Sequence, residues 1–232
     1  MAYSKKIVCL ATSRKPSGRC VAGKECLENG YGGWVRPVSV RPSAEISLEE
    51  RRYEDGKEPK VLDVVEIPML APVPRVHQTE NHMIDQSFYW AKRDILTWDD
   101  VASLTDAPPA LWTNGNSTYH GTNDKVAQAL ASQFTNSLFL IRPETAIVQV
   151  QLEGGTFGPA KRRVRADFRY NGVHYNFVVT DLVAEQAFLA RENGVYPLAD
   201  AYLCVSLTEA YEGDGFCHKL VATILTEELL RG

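Results

Sequence analysis

Residues 164–180 read VRADFRYNGVHYNFVVT, and their alternation decides the fold class. Asn171–Gly172 suits a two-residue type I′ turn, whose central positions both need positive φ. Folding the chain back there puts Val164, Ala166, Phe168 and Tyr170 on one face with Val173, Tyr175, Phe177 and Val179. The opposite face then carries Arg163, Arg165, Asp167, Arg169, His174 and Asn176. This period-two pattern predicts an antiparallel hairpin with one face in a core and a strongly basic face toward solvent.

Downstream, Asp181 is placed to cap a helix running to about Asn193 and closed by Gly194. Residues 201–207 and 219–225 read as further strands, followed by a short charged tail. Upstream, LFLIR (138–142) is a buried run, and 146–153 alternates Ala146, Val148, Val150 and Leu152 against polar neighbours. Near the start, KIVCLAT (6–12) predicts a buried strand, with a basic, Gly-rich loop after it. WVRPVSV (34–40) predicts a strand in which Pro37 marks an edge or the end of a ladder. VLDVVEIPML (61–70) predicts a central strand stopped by Pro68, with APVPRV (71–76) continuing it in an extended form.

Helical signals are short. One helix is expected around 48–53, before a turn at Asp55–Gly56. Thr97 with Asp100 resembles a capping pair opening another through Leu104. Asn123 or Asp124 is expected to cap a longer one striped by Val126, Ala127, Leu130 and Phe134. Strands, a helical middle and strands again predict a mainly β chain with minor α, as two small barrels or sheets in tandem.

The chain has 232 residues, 44% of them apolar and 23% charged, which suits one large domain or two small ones and argues against extended disorder. A net charge of −4 excludes a protein coated in basic charge, so any nucleic-acid affinity must come from a local patch. Residues 1–41 supply one, with eight basic side chains against Glu25 and Glu28. The five cysteines include no CxxC pair, MAYSKKIVCLAT lacks the apolar core of a secretory signal, and no apolar run approaches membrane-spanning length. Reduced thiols in a cytoplasmic protein are the expectation. Cys20, Cys26, Cys217 and His218 match no zinc spacing, and His77 and His82 fit ordinary surface histidines, so no metal is expected.

Two stretches carry the chemistry. TSRKPSGRCVAGKECLENGYGGWVRPVS (12–39) interleaves Arg14, Lys15, Arg19, Lys24 and Arg36 with turn-forming Pro16 and glycines, beside Tyr31 and Trp34. Arginine forks onto phosphate, and aromatic rings stack on bases. NGNSTYHGTND (114–124) is almost wholly hydrogen-bonding, and Asn114, Asn116, Tyr119, His120 and Asn123 are candidates to read a ligand's polar edges. Both stretches are expected to meet at one anionic-ligand site. VAGKE carries only the second half of a phosphate loop, which argues against a nucleoside triphosphatase, and no cofactor motif appears.

The segments KIVCLATSRKPSGRCVAGKE, GGWVRPVS, LWTNGNSTYHGTND and YNFVVTD, spread over residues 6–181, resemble the bacterial family of dual OB domain-containing proteins. The resemblance implies two OB-like barrels, with a nucleic-acid- or nucleotide-binding role in prokaryotic conflict or defence systems. It supplies no catalytic residues. On this reading, 1–95 is a first OB-like domain carrying the basic stretch, 96–135 a helical connecting segment with the polar loop, and 136–232 a second OB-like domain.

The leading expectation is binding of single-stranded nucleic acid or a nucleotide-like ligand. Two alternatives stand beside it: an enzyme using His120 and Asp124 as an acid–base pair, and a protein–protein module whose basic patch faces an acidic partner.

Overall fold

The computed structural model describes residues 3–15, 17–155 and 159–231. Pro16, expected to help turn the chain, lies outside them. The chain divides into two compact units, Met1–Thr105 with Thr135–Ser137, and Asp106–Phe134 with Leu138–Gly232.

The first unit contains β1 (Tyr3–Lys15), β2 (Gly18–Leu27), β3 (Gly30–Val38), α1 (Leu48–Arg51), β4 (Asp63–Pro72), β5 (Asn81–Ile84) and β6 (Ala91–Ile95). A short 3-10 helix follows at Trp98–Leu104, with the expected Thr97–Asp100 capping box. Strands pair in the order β1-β2-β3-β5-β4, and β4 pairs again with β1, so the path returns to its start; β6 is appended to β4. The β3–β5 pair is parallel, and the other pairs on this path are antiparallel.

β1 serves two partners because it is long and bulged. It pairs with β4 over Tyr3–Val8 and with β2 over Ile7–Lys15, with the register shifting between Cys9 and Ala11. Gly23 sits where these strands cross, and a Cβ there would fall 2.0 Å from the Val8 carbonyl oxygen. Ile7, Cys9, Val21, Val35, Val65, Ile67, Met69, Ile84 and Trp90 fill the core.

Two expectations are corrected here. The basic stretch is not a loop, for most of it is the β1–β2–β3 meander. Gly18 and Gly23 permit close strand packing, against the Ile46 and Val8 carbonyls. Nor does Pro68 stop its strand: its carbonyl accepts from Asp85 N–H at 2.9 Å, and β4 runs on to Pro72. Pro37 does sit where one ladder gives way to another, since β3 pairs with β2 through Val35 and with β5 from Arg36.

The second unit contains β7 (Lys125–Ala127), α2 (Gln128–Ala131), β8 (Leu138–Ile141), β9 (Thr145–Glu153), β10 (Lys161–Tyr170), β11 (Val173–Val179), α3 (Leu182–Leu189), β12 (Gly194–Pro197), β13 (Tyr202–Tyr211), β14 (Phe216–Leu225) and α4 (Glu227–Arg231). The path β9-β10-β11-β14-β13 repeats the order of the first unit, again with one parallel pair, β11–β14. Among the described residues no ladder joins β9 to β13. β12 occupies the free edge of β9, and β8 that of β13.

The β10–β11 hairpin has the expected register, with Tyr170 opposite Val173 and Phe168 opposite Tyr175. Asn171 and Gly172 both have positive φ. The predicted helix after Asp124 is corrected, because Lys125–Ala127 instead pairs with β14 and leaves only the four-residue α2. Val126 is thus a strand residue buried against Cys217 rather than part of a helical stripe. The helix capped by Asp181 ends at Leu189, and Gly194 begins β12 instead of closing it.

Candidate nucleic-acid interface

Each of the two stretches is built by its own unit. In the first, Arg14 and Arg19 are cross-strand partners at the β1–β2 end. Like charges placed directly opposite repel. Arg14 is exposed, while Arg19 is partly buried and its backbone bridges Ile46 in both directions. Burial and the neighbouring Arg51 charge lower the Arg19 pKa, against a smaller pull from Glu58. Lys15 Nζ donates to the Ser43 carbonyl at 2.5 Å.

Lys24 and Trp34 face each other across β2 and β3, with the ammonium 5.9 Å from the ring centroid. Lys24 is buried and Trp34 half-buried. Arg36 is only 4% exposed. Its guanidinium lies 3.1 Å from the Glu80 carboxylate and donates to Ser137 Oγ at 2.8 Å. That side chain is engaged in holding the fold, whereas Arg14, Lys15 and Arg19 stand at the β1–β2 end.

In the second unit the polar stretch 114–124 folds against the hairpin. Asn123, at φ 52°, accepts from Gly115 N–H at 2.7 Å through Oδ1 and donates from Nδ2 to the His174 carbonyl at 3.0 Å. Thr122 and Asn176 exchange backbone hydrogen bonds, and Asn116 accepts from Lys125 N–H. Asp124 is buried and takes both the N–H and the hydroxyl of Thr118, at 2.7 and 2.5 Å. Gly121 is needed beside it, since a Cβ there would overlap the Asp124 carboxylate. Asn114 is exposed, and Tyr119, with 87% of its surface open, stands edge-on to His120.

Asp124 therefore shapes this loop. Among the described residues no hydrogen bond or ion pair joins it to His120. The hairpin's polar face is also less basic than its sequence implies. Arg165 is buried and bonded to Glu153 at 2.6 Å, and His174 meets Asp167 at 2.9 Å. Burial pushes the Glu153 carboxyl up, but hydrogen bonds from Arg165 and Gln151, with the Arg165 charge, outweigh it and hold Glu153 below the usual range.

Sequence reasoning missed Lys219. This side chain is 1% exposed, with its Nζ donating to the Thr113 carbonyl at 2.7 Å and to Asn114 Oδ1 at 3.3 Å. A signal was present: Lys219 is in phase with Cys217 and Val221, so strand alternation aims it inward. Among the described residues no three His, Cys, Asp or Glu side chains gather as a metal site requires, and no helix is long and apolar enough to cross a membrane.

The strand order with its parallel third-to-fifth pair occurs twice in one chain, and a family model described as the dual OB-containing domain matches residues 5–224. The chain belongs to this dual-OB family. No curated protein matches it. Membership brings an OB-type binding role, and in OB folds the second and third strands with their flanking loops form the usual face for oligonucleotides.

Proposed function

We propose that the protein binds single-stranded nucleic acid, with a nucleotide-like ligand as the minimal version of the same chemistry. The observation that carries this reading is the pairing of Arg14 with Arg19 at one end of β2, on the meander that also presents Lys24 against Trp34. Guanidiniums gathered at one strand end suit an anionic backbone, and an aromatic ring on β3 offers a base a stacking surface. Arg14, Lys15 and Arg19 contact phosphate, and Trp34 contributes the aromatic surface. In the second unit Asn114, Asn116, Tyr119, His120 and Asn123 supply that unit's contacts, and Tyr119 is 87% exposed.

The test is a salt series of anisotropy titrations with single-stranded DNA, single-stranded RNA and mononucleotides. Log affinity for a polymer falls linearly with log salt, and Arg14→Ala or Arg19→Ala each flattens the slope by about one unit. Oligonucleotide binding that is absent even at low salt, alongside recovery of an acidic protein partner, would replace this reading with the protein–protein one.

A further inference from the structure

We propose that Lys219 is a proton-operated latch on the loop 113–124, holding the loop down while its amine is neutral and loosening it when the amine is protonated. The inference rests on the functional reading only in taking that loop as a ligand contact, because the latch itself is a property of the second unit.

Both ends of the loop land on this one residue. Its Nζ holds the start of the loop through Thr113 and Asn114, and its backbone N–H donates to the Asp124 carbonyl at 2.8 Å, which holds the end. Between these points the loop closes on itself through Asp124–Thr118 and Asn123–Gly115. The lysine runs inward beside the rings of Tyr175 and Phe177, whose centroids lie 5.4 and 5.8 Å from Nζ. Its hydrogen-bond acceptors are neutral oxygens. A buried ammonium with neutral acceptors is costly unless a counter-charge sits close by.

The ionisable groups around it supply little of that. Asp124 favours the charged form, but it lies 3.9 Å from the Arg165 guanidinium of β10, which shares its field. From β11 the rings of Tyr175 and Phe177 face it. His218, on the opposite face of β14, turns to Asp214 at 3.5 Å, and Lys125 on β7 also faces Asp214, at 3.6 Å. Burial accordingly draws the Lys219 amine down to about 7, with Asp124 opposing. Among the described residues two further buried polar atoms, Thr113 Oγ1 and Tyr175 OH, have no hydrogen-bond partner. Thr113 Oγ1, on the loop itself, gains water when the loop lifts, which favours opening.

The direction follows from proton linkage. With the loop open, water reaches the amine, and its pKa returns toward about 10.4. Between the two values the open form binds more protons than the closed form, so acid favours opening and base favours closure. The opening equilibrium rises by up to about tenfold for each unit that pH falls across this window. It levels off below the closed-state value, where the amine is charged in both forms.

Hydrogen exchange of the full-length protein between pH 7.5 and 9.5, corrected for intrinsic exchange rates, reads this equilibrium at the amides of Gly115, Thr118, Thr122 and Asn123. The expected result is opening that becomes about tenfold rarer per pH unit in the loop, with no such slope in the β1–β2 ladder. Lys219→Met should abolish the loop's slope. A flat profile in the native protein, or an unchanged slope in Lys219→Met, overturns the latch. Should that variant not fold, an NMR titration of the native lysine side chains decides: a Lys219 signal titrating with ordinary lysines overturns the proposal, and one titrating far below them supports it. Loss of oligonucleotide binding would leave these slopes in place, so the latch and the nucleic-acid reading fail separately.

Discussion

The two units follow one strand order to different ends. In the first, β4 returns to β1 and completes the circuit; in the second, β12 and β8 occupy the edges that would otherwise meet. The contrast traces to a single strand. β1 has thirteen residues and a bulge, so one part pairs with β4 and another with β2. Its counterpart β9 has nine residues, all of them paired with β10, and its other edge is taken by β12 over Ile147–Val150. Strand order is thus compatible with either outcome, and the length and bending of the first strand decide between them.

The units also differ in what lies buried among their polar groups. Both bury an ion pair, Arg36 with Glu80 in the first and Arg165 with Glu153 and Asp124 in the second, but the second also buries the Lys219 amine, whose hydrogen-bond acceptors are neutral. The largest expected effect comes from breaking the first pair. Arg36→Met leaves the Glu80 carboxylate buried without its partner and should destabilise the first unit by about 3–5 kcal/mol. Urea unfolding followed by exchange in each unit measures this; equal losses in both units would show that the pair does not belong to the first unit's stability alone.

A smaller effect separates the helices that follow the third strand of each path. α3 is tied down by Asp181, which accepts from Val183 and Ala184 at its own N-terminus and from Ile224 N–H on β14. Asp181→Ala removes a cap and orphans a strand amide, at about 2–3 kcal/mol. In the first unit Ser47 and Glu50 form a capping box on the single turn of α1. Ser47→Ala there should cost only about 0.5–1 kcal/mol in a thermal or urea midpoint. If the two substitutions cost the same, the link from Asp181 to β14 contributes nothing beyond ordinary capping.

The hairpin at 164–180 was legible because two local rules, alternation and turn chemistry, agree there. The tandem β architecture followed from the same kind of signal. What misled was composition read without tertiary context. Glycines that read as a loop around Gly23 are the clearance two crossing strands require, and Pro68 reads as a stop until Asp85 is seen bonding its carbonyl. The apolar stripe after Asp124 has helical spacing, yet pairing with β14 takes its first residues into a strand. For the candidate site, residue types were readable and their commitments were not. Nothing local announces that Arg36 is held by Glu80, forty-four positions away, or that Lys219 reaches the polar loop.

Thr135–Ser137 belongs with the first unit although roughly thirty residues of the second precede it. Ser137 hydroxyl bridges Arg36 and Glu80, and Thr79 donates to the Thr135 carbonyl. During synthesis, a chain released only as far as Thr105 would hold that charged couple without its hydroxyl. A cut after Thr105 would therefore part the amino-terminal piece from the hydroxyl that bridges its buried charges.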